Sequence, residues 1–201
     1  DPGADLVKEF ISEGMVGKII SARFSCGSWL PDWRSPIDYR QCVSARRELG
    51  GGATLELSHE IDMALYLLGD INIIHAEHIH ISNLDIDTDD QCVILGRTKA
   101  LTLVTIEVDF CTGTTERSVK IRGTEASIDW DLVRGIVSFS KKGEQKVQRE
   151  IGISAEQRMK KQLEEFWTIR NSNNVKLCSV NEGISVMNVI QKVRNYNVDL
   201  T

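Results

Sequence analysis

The stretch Gly50-Gly-Gly-Ala-Thr-Leu-Glu-Leu-Ser-His-Glu-Ile-Asp62, continued as Met-Ala-Leu-Tyr-Leu-Leu-Gly69, organises this chain of 201 residues. Its glycine run permits backbone conformations that other residues avoid, and the following residues predict one buried helix that Gly69 ends. The apolar stripe of that helix recurs every three or four residues and comprises Leu57, Ile61, Leu65 and Leu68.

Three polar side chains, Glu56, His59 and Asp62, follow one another at spacings of three along the same segment. They are therefore expected on one side of the predicted helix. In one interpretation they form a polar face and His59 is a hydrogen-bonded histidine at a packing boundary. In the other, His59 is a general acid or base with a pKa near the operating pH, and a carboxylate one turn away orients or tunes it. The glycines favour the second interpretation, because they let a ligand approach the start of the helix.

The same residues resemble a known pattern: three glycines, an acid, His-x-x-Asp and Leu-Leu-Gly. Together with Glu13–Ile20 (Glu-Gly-Met-Val-Gly-Lys-Ile-Ile) and the strand and turn at Arg117–Ala126, they resemble the second domain of the Gfo/Idh/MocA family of glucose-fructose oxidoreductase, inositol dehydrogenase and rhizopine-catabolism proteins. Many family members carry an aspartate four residues before the histidine. This chain has Leu55 there, and its acid is Glu56.

The resemblance implies an NAD(P)-dependent oxidoreductase that acts on a sugar, a sugar derivative or a cyclic polyol. It gives His59 the acid/base or substrate-orienting role, with Glu56 and Asp62 as supporting carboxylates. It also implies a dihydrodipicolinate-reductase-like domain preceded by a Rossmann domain, which would bind NAD or NADP and carry a catalytic lysine. Neither a Gly-x-Gly-x-x-Gly nor a Glu-Lys-Pro motif occurs here. We therefore expect residues 1–201 to be the single substrate-binding and oligomerisation domain of a longer enzyme, inactive alone and without cofactor-binding residues.

The segment Trp29–Leu49 is predicted to be an irregular loop that binds substrate, because long loops inside compact domains are unusual without such a role. Aromatic faces pack on sugar rings, and guanidinium groups hold anionic groups. The candidate contacts are Trp33, Tyr39, Arg40 and Arg46. The alternative is that the tryptophans cap the core while the arginines form surface pairs with Asp32, Asp38 and Glu48.

The remaining periodicity predicts an α+β fold, an open, largely antiparallel or mixed sheet with helices packed on one face. The predicted helices are Ala4–Glu13, the segment at Gly50–Gly69, Ser154–Arg170 with Gln157 in a capping-box position, and Asn181–Asn195. The predicted strands are Lys18–Ser28, Ile71–Ser82, Gln91–Arg97, Leu101–Cys111, Glu116–Arg122, Ala126–Leu132, Gly135–Lys141 and Gln145–Ile151. In the resembled family the second sheet face commonly makes a subunit interface, which implies a homodimer or tetramer.

Charge and composition argue against several classes of partner. A net charge of -5 and a pI near 5.4 argue against a nucleic-acid surface. No apolar run approaches the ~20 residues that span a membrane. The five scattered cysteines suggest reduced thiols in a cytoplasmic protein. No metal site is expected, because His75 would point to the opposite strand face from His78 and His80.

Two other functions stay open from the sequence. The first is a non-catalytic ligand-binding or oligomerisation module of the same fold. The second is a nicotinamide-dependent isomerisation or elimination in which the hydride returns to the product.

Overall fold

The computed structural model describes residues 1–152, 154–169 and 178–196. Its helices are α1 (Pro2–Ser12), α2 (Ala53–Glu56), α3 (His59–Leu68), α4 (Ala155–Ile169) and α5 (Val180–Tyr196). Its strands are β1 (Ile19–Gly27), β2 (Ile71–Ile79), β3 (Gln91–Thr98), β4 (Leu103–Asp109), β5 (Glu116–Gly123), β6 (Ala126–Asp131), β7 (Ile136–Lys141) and β8 (Val147–Glu150). Each predicted strand is therefore present, with ends that differ by a few residues.

The strands form one mixed sheet with the order β2-β3-β4-β1-β5-β6-β7-β8. β1 runs parallel to β4, and every other neighbouring pair of this sheet is antiparallel. The first strand thus lies in the middle of the sheet, between two strands that come much later in the chain. This arrangement confirms the predicted α+β class with a mixed, largely antiparallel sheet.

One face of the sheet packs against the helices, and the hydrophobic core lies between them. Strand residues alternate, so that Phe24, Ile106 and Ile121 are buried while their neighbours reach the other face. Phe10 of α1 meets Phe139 of β7 with ring centroids 5.2 Å apart, and helices α3 and α5 cover β1, β4 and β2. The opposite face is partly polar, because Thr105 and Glu107 alternate with the buried residues of β4.

The predicted continuous helix from Gly50 to Gly69 is wrong, because the chain breaks it into α2 and α3. Leu57 leaves helical geometry at φ -102° and ψ 21°. Around it, the amides of Ser58 and Glu60 bond to carbonyls three residues back rather than four. The break changes the rotation of His59 relative to Glu56, so the two side chains do not follow one straight helical face.

The C-terminal elements agree with the sequence where the structure describes them. Ser154 and Gln157 form the predicted capping box, with each backbone amide donating to the other side chain. The predicted end of that helix at Arg170 lies outside the described residues. None of the described helices is long and apolar enough to cross a membrane.

Candidate active site

His59 is the first residue of α3, and its side chain lies beside the end of β1. Cys26 of β1 and Arg117 of β5 are antiparallel partners across the sheet. A donor atom of Cys26 lies within 4.8 Å of donor atoms of both His59 and Glu60. The fold thus brings together four polar side chains from three elements that are distant in sequence.

Glu60 is at the centre of this group and is completely buried. Its Oε1 accepts a hydrogen bond from Arg117 Nε at 2.5 Å and lies 3.3 Å from His59 Nε2. Its Oε2 is buried and has no hydrogen-bond partner among the residues that the structure describes. A buried carboxylate is costly unless it is paired, so Arg117 is the residue that makes this position possible.

The electrostatics keep the imidazole neutral. Burial, together with the Arg117 guanidinium, lowers the pKa of His59 to about 4, and a hydrogen bond to the backbone of Glu56 opposes this shift. Burial raises the pKa of Glu60, against the lowering effect of Arg117, and burial raises the pKa of Cys26 to about 11. At neutral pH the group therefore holds a neutral imidazole and a thiol beside the Glu60-Arg117 pair. The expected pKa of His59 near the operating pH is wrong, because burial and Arg117 lower it.

Glu56 serves the neighbouring loop rather than the His59 side chain. Ser44 Oγ donates to Glu56 Oε2 at 2.9 Å, and Arg34 approaches the same oxygen at 3.8 Å while donating to Ser44. The structure therefore connects Glu56 to His59 only through the Glu56 backbone, among the contacts that it describes.

Asp62 lies elsewhere, in a cavity of about 400 Å³ between α1, α3 and α5. Other acids line that cavity, among them Asp5 and Glu182, and burial raises the pKa of Asp62 with a further contribution from Glu182. The structure does not bring Asp62 into the group around His59.

The predicted aromatic contacts lie in the loop that follows β1. Trp33 packs edge-on against Phe110, with ring centroids 5.1 Å apart, and donates from Nε1 to Ser28 Oγ at 2.5 Å. Tyr39 accepts a hydrogen bond at its hydroxyl from the Asp85 amide at 3.1 Å. Both side chains are partly buried against the core.

The predicted loop arginines hold the loop itself together. Arg40 binds Asp38 with a shortest distance of 2.7 Å and approaches Asp85 at 3.8 Å. Arg46 Nε donates to the Arg40 carbonyl at 2.9 Å. The Arg40-Asp38 pair is one that the surface-pair alternative anticipated.

Sequence reasoning missed Cys26, Glu60 and Arg117. Glu60 directly follows His59, and this adjacency was the available local signal. Cys26 and Arg117 are 33 and 58 residues from His59 in sequence and reach it only through strand pairing.

A protein-family model described as the GFO/IDH/MocA C-terminal domain matches residues 5–129, which is more than half of the chain. The chain belongs to the Gfo/Idh/MocA family. A curated member, levoglucosan dehydrogenase of Pseudarthrobacter phenanthrenivorans, is 37% identical over 81 residues, which cover 37% of this chain and 19% of that protein.

Solved structures share the fold of this Gfo/Idh/MocA domain. An oxidoreductase domain protein from Kribbella flavida superposes with a TM-score of 0.80 at 18% identity. The superposition covers 100% of this chain and 63% of the Kribbella chain. Levoglucosan dehydrogenase in complex with NADH and levoglucosan gives 0.79 at 20% identity, covering 98% of this chain and 61% of its own. This chain therefore spans less than two thirds of those proteins.

Proposed function

We propose that this chain is the substrate domain of an NAD(P)-dependent oxidoreductase that acts on a sugar, a sugar derivative or a cyclic polyol. The observation that carries the proposal is the neutral, partly exposed imidazole of His59 beside the buried Glu60-Arg117 pair. Family membership supports it, as does the similarity to an enzyme named for a sugar derivative, levoglucosan.

The described part of this chain does not fit a dinucleotide by itself. Its sheet has a single parallel pair, and the Gly-rich turn of a Rossmann unit does not occur in the sequence. A separate domain of the complete protein would therefore bind NAD or NADP, which supplies the hydride acceptor or donor.

His59 would accept the proton, or a hydrogen bond, from the hydroxyl group that is oxidised. Its side chain is 40% exposed, so a substrate can reach it. A neutral imidazole has a lone pair for this purpose. The Glu60 carboxylate 3.3 Å away would partly offset the effects of burial and of Arg117, which disfavour the imidazolium. Glu56 would act by holding the loop through Ser44, and Asp62 remains a proposed supporting carboxylate without a contact in this group.

The loop after β1 would supply the remaining substrate contacts. Trp33 would offer an aromatic face to a sugar ring, and Tyr39, Arg40 and Arg46 would shape the polar side of the site. Their contacts within the loop support a role in positioning it.

The partners complete the proposal. The partly polar sheet face opposite the helices would make a homodimer or tetramer interface. A cytoplasmic location fits the five free cysteines.

The test is turnover by the complete protein with NAD⁺ or NADP⁺ and a panel of levoglucosan, inositols and aldoses. His59→Ala should lower kcat by about 100-fold or more, because general acid-base groups contribute at least that much. His75→Ala removes a different exposed histidine and should leave kcat unchanged. Equal turnover by wild type and His59→Ala would reject the role of His59. Sugar binding without hydride transfer would support the non-catalytic module, and products of unchanged oxidation state would indicate isomerisation or elimination.

A further inference from the structure

Cys26, His59 and Glu60 are the one group of three or more metal-type ligands that the described residues bring together. Their donor atoms, a sulfur, an imidazole nitrogen and a carboxylate oxygen, lie within 4.8 Å of one another. We propose that these three side chains form a binding site for a thiophilic divalent cation of the zinc class.

The donor set selects the cation. Zinc binds cysteine sulfur, histidine nitrogen and carboxylate oxygen in tetrahedral sites, whereas magnesium and calcium prefer sites made of oxygen. Three protein ligands leave the fourth position of a tetrahedron for water.

The buried Glu60 carboxylate gives independent support. Its Oε2 is fully buried and has no hydrogen-bond partner among the described residues, although a buried polar oxygen without a partner costs stability. Glu60 Oε1 is already engaged by Arg117 Nε. A cation at Oε2 would satisfy the remaining oxygen without disturbing that pair.

The surrounding contacts match those that orient metal ligands elsewhere. Metal-binding histidines commonly donate their other ring nitrogen to a carbonyl or carboxylate, and ligating carboxylates are themselves hydrogen-bonded. Here the His59 side chain hydrogen-bonds to the backbone of Glu56, and Arg117 holds Glu60.

Geometry and access permit binding with a small adjustment. In a tetrahedral zinc site, donor atoms lie about 3.3–3.6 Å apart, as follows from zinc-ligand distances of about 2.0–2.3 Å. The most distant donors, at up to 4.8 Å, would close by about 1 Å through side-chain rotation. The side chains of His59 and Arg117 are 40% and 31% exposed, which gives the ion a path inward.

Metal binding displaces one proton, from the thiol of Cys26. The Cys26 S–H bond breaks, the sulfur-metal bond forms, and the proton leaves to solvent. His59 contributes a lone pair, and Glu60 contributes its anionic oxygen. No oxidant or reductant takes part.

The histidine cluster on β2 does not provide an equivalent site. His75 packs edge-on against Tyr196 with ring centroids 5.2 Å apart, and His80 approaches Asp90 at 3.5 Å. The one irregularity in the pairing of β2 with β3 lies between Ile73 and His75, so it leaves the alternation from His75 onward unchanged.

The metal would have a regulatory consequence that rests on the proposed function. A cation on His59 occupies the lone pair that the substrate hydroxyl needs, so zinc would inhibit the complete enzyme and a chelator would restore it. The binding test below does not depend on turnover, so metal binding and enzyme activity can each fail separately.

The experiment is titration of this chain with Zn²⁺ by isothermal calorimetry, and with Co²⁺ by absorption, in which thiolate ligation gives a charge-transfer band. Wild type should bind one Zn²⁺ and show the Co²⁺ band. Cys26→Ser and Glu60→Gln should each weaken binding by about 100-fold or more, since even loss of a supporting contact costs 10–100-fold. Cys92→Ser removes another buried thiol, which lies outside the group, and should leave the affinity unchanged.

Thermal unfolding of each variant without metal shows whether it is folded, and Glu60→Gln remains as a test if Cys26→Ser is not. Absence of saturable Zn²⁺ binding by wild type would overturn the proposal. Zn²⁺ binding that survives both Cys26→Ser and Glu60→Gln would overturn the proposal as well. Loss of Zn²⁺ binding in His80→Ala would overturn it too, because the ion would then lie on β2.

Discussion

Replacing Arg117 with methionine removes the guanidinium from Glu60 and keeps an unbranched apolar side chain. Glu60 is completely buried, and its carboxylate pairs with Arg117 at 2.5 Å. Removing one partner of a buried ion pair costs about 3–5 kcal/mol, because the other charge stays buried. Arg117 is 31% exposed, so water can partly replace it, and we expect the lower end of this range, about 3 kcal/mol.

The loss of stability should depend on pH with a defined sign. Burial raises the pKa of Glu60 above its ordinary 4.5, and Arg117 opposes that shift, so Arg117→Met should raise the pKa further. A carboxyl whose pKa is raised on folding binds its proton better in the folded state than in the unfolded state. The folded variant therefore gains stability relative to the unfolded chain as pH falls toward 4.5. The deficit against wild type should be largest near neutral pH and shrink in acid.

Urea unfolding followed by circular dichroism, at pH 7 and at pH 5, measures both effects. Arg134→Met is the matched control, because Arg134 pairs with Asp131 at 3.7 Å in the turn between β6 and β7, where both side chains are exposed. That exposed pair should contribute about 0–1 kcal/mol. A cost for Arg117→Met no larger than that of the control, or one independent of pH, would show that Glu60 is not held as a buried anion.

Two further measurements test the backbone and the imidazole. Gly52→Ala should lower the free energy of unfolding in urea by about 2–3 kcal/mol, because φ is +110° and the new Cβ would lie 2.2 Å from Asp89 Oδ1. Gly50→Ala is the control, because Gly50 has φ +85° and open space around it. It should lower the free energy of unfolding by about 1 kcal/mol. Equal costs would contradict the close approach of Asp89. NMR titration should place the pKa of His59 near 4 instead of 6.5. Because the pKa is lower in the folded state, the contribution of His59 to stability should fall as the pH drops below 6.5. A titration midpoint near 6.5 would contradict its burial beside Arg117.

Local patterns were sufficient to predict the elements of this fold. The alternation that predicted a strand at Leu101–Cys111 matches β4, in which Val104, Ile106 and Val108 are buried, and the Ser154 capping box correctly marked the start of α4. The break between α2 and α3 was not predictable in this way. Leu57 fits the apolar stripe of a continuous helix and is buried as expected, yet its backbone leaves helical geometry. Tertiary packing decides such a position, and periodicity does not report it.

The candidate site shows why the strand order matters more than local sequence. β1 lies between β4 and β5, so Cys26 becomes the cross-strand partner of Arg117 although 91 residues separate them. The turn after Leu57 then directs Glu60 onto that pair and leaves His59 at the edge, where solvent reaches it. The histidine could be selected from its motif, but its charge state depends first on its burial and then on a guanidinium that only the register of β1 and β5 brings near. A family motif can thus select the candidate side chain, while the sheet topology determines the burial and the charged neighbours that decide whether that side chain is neutral or protonated.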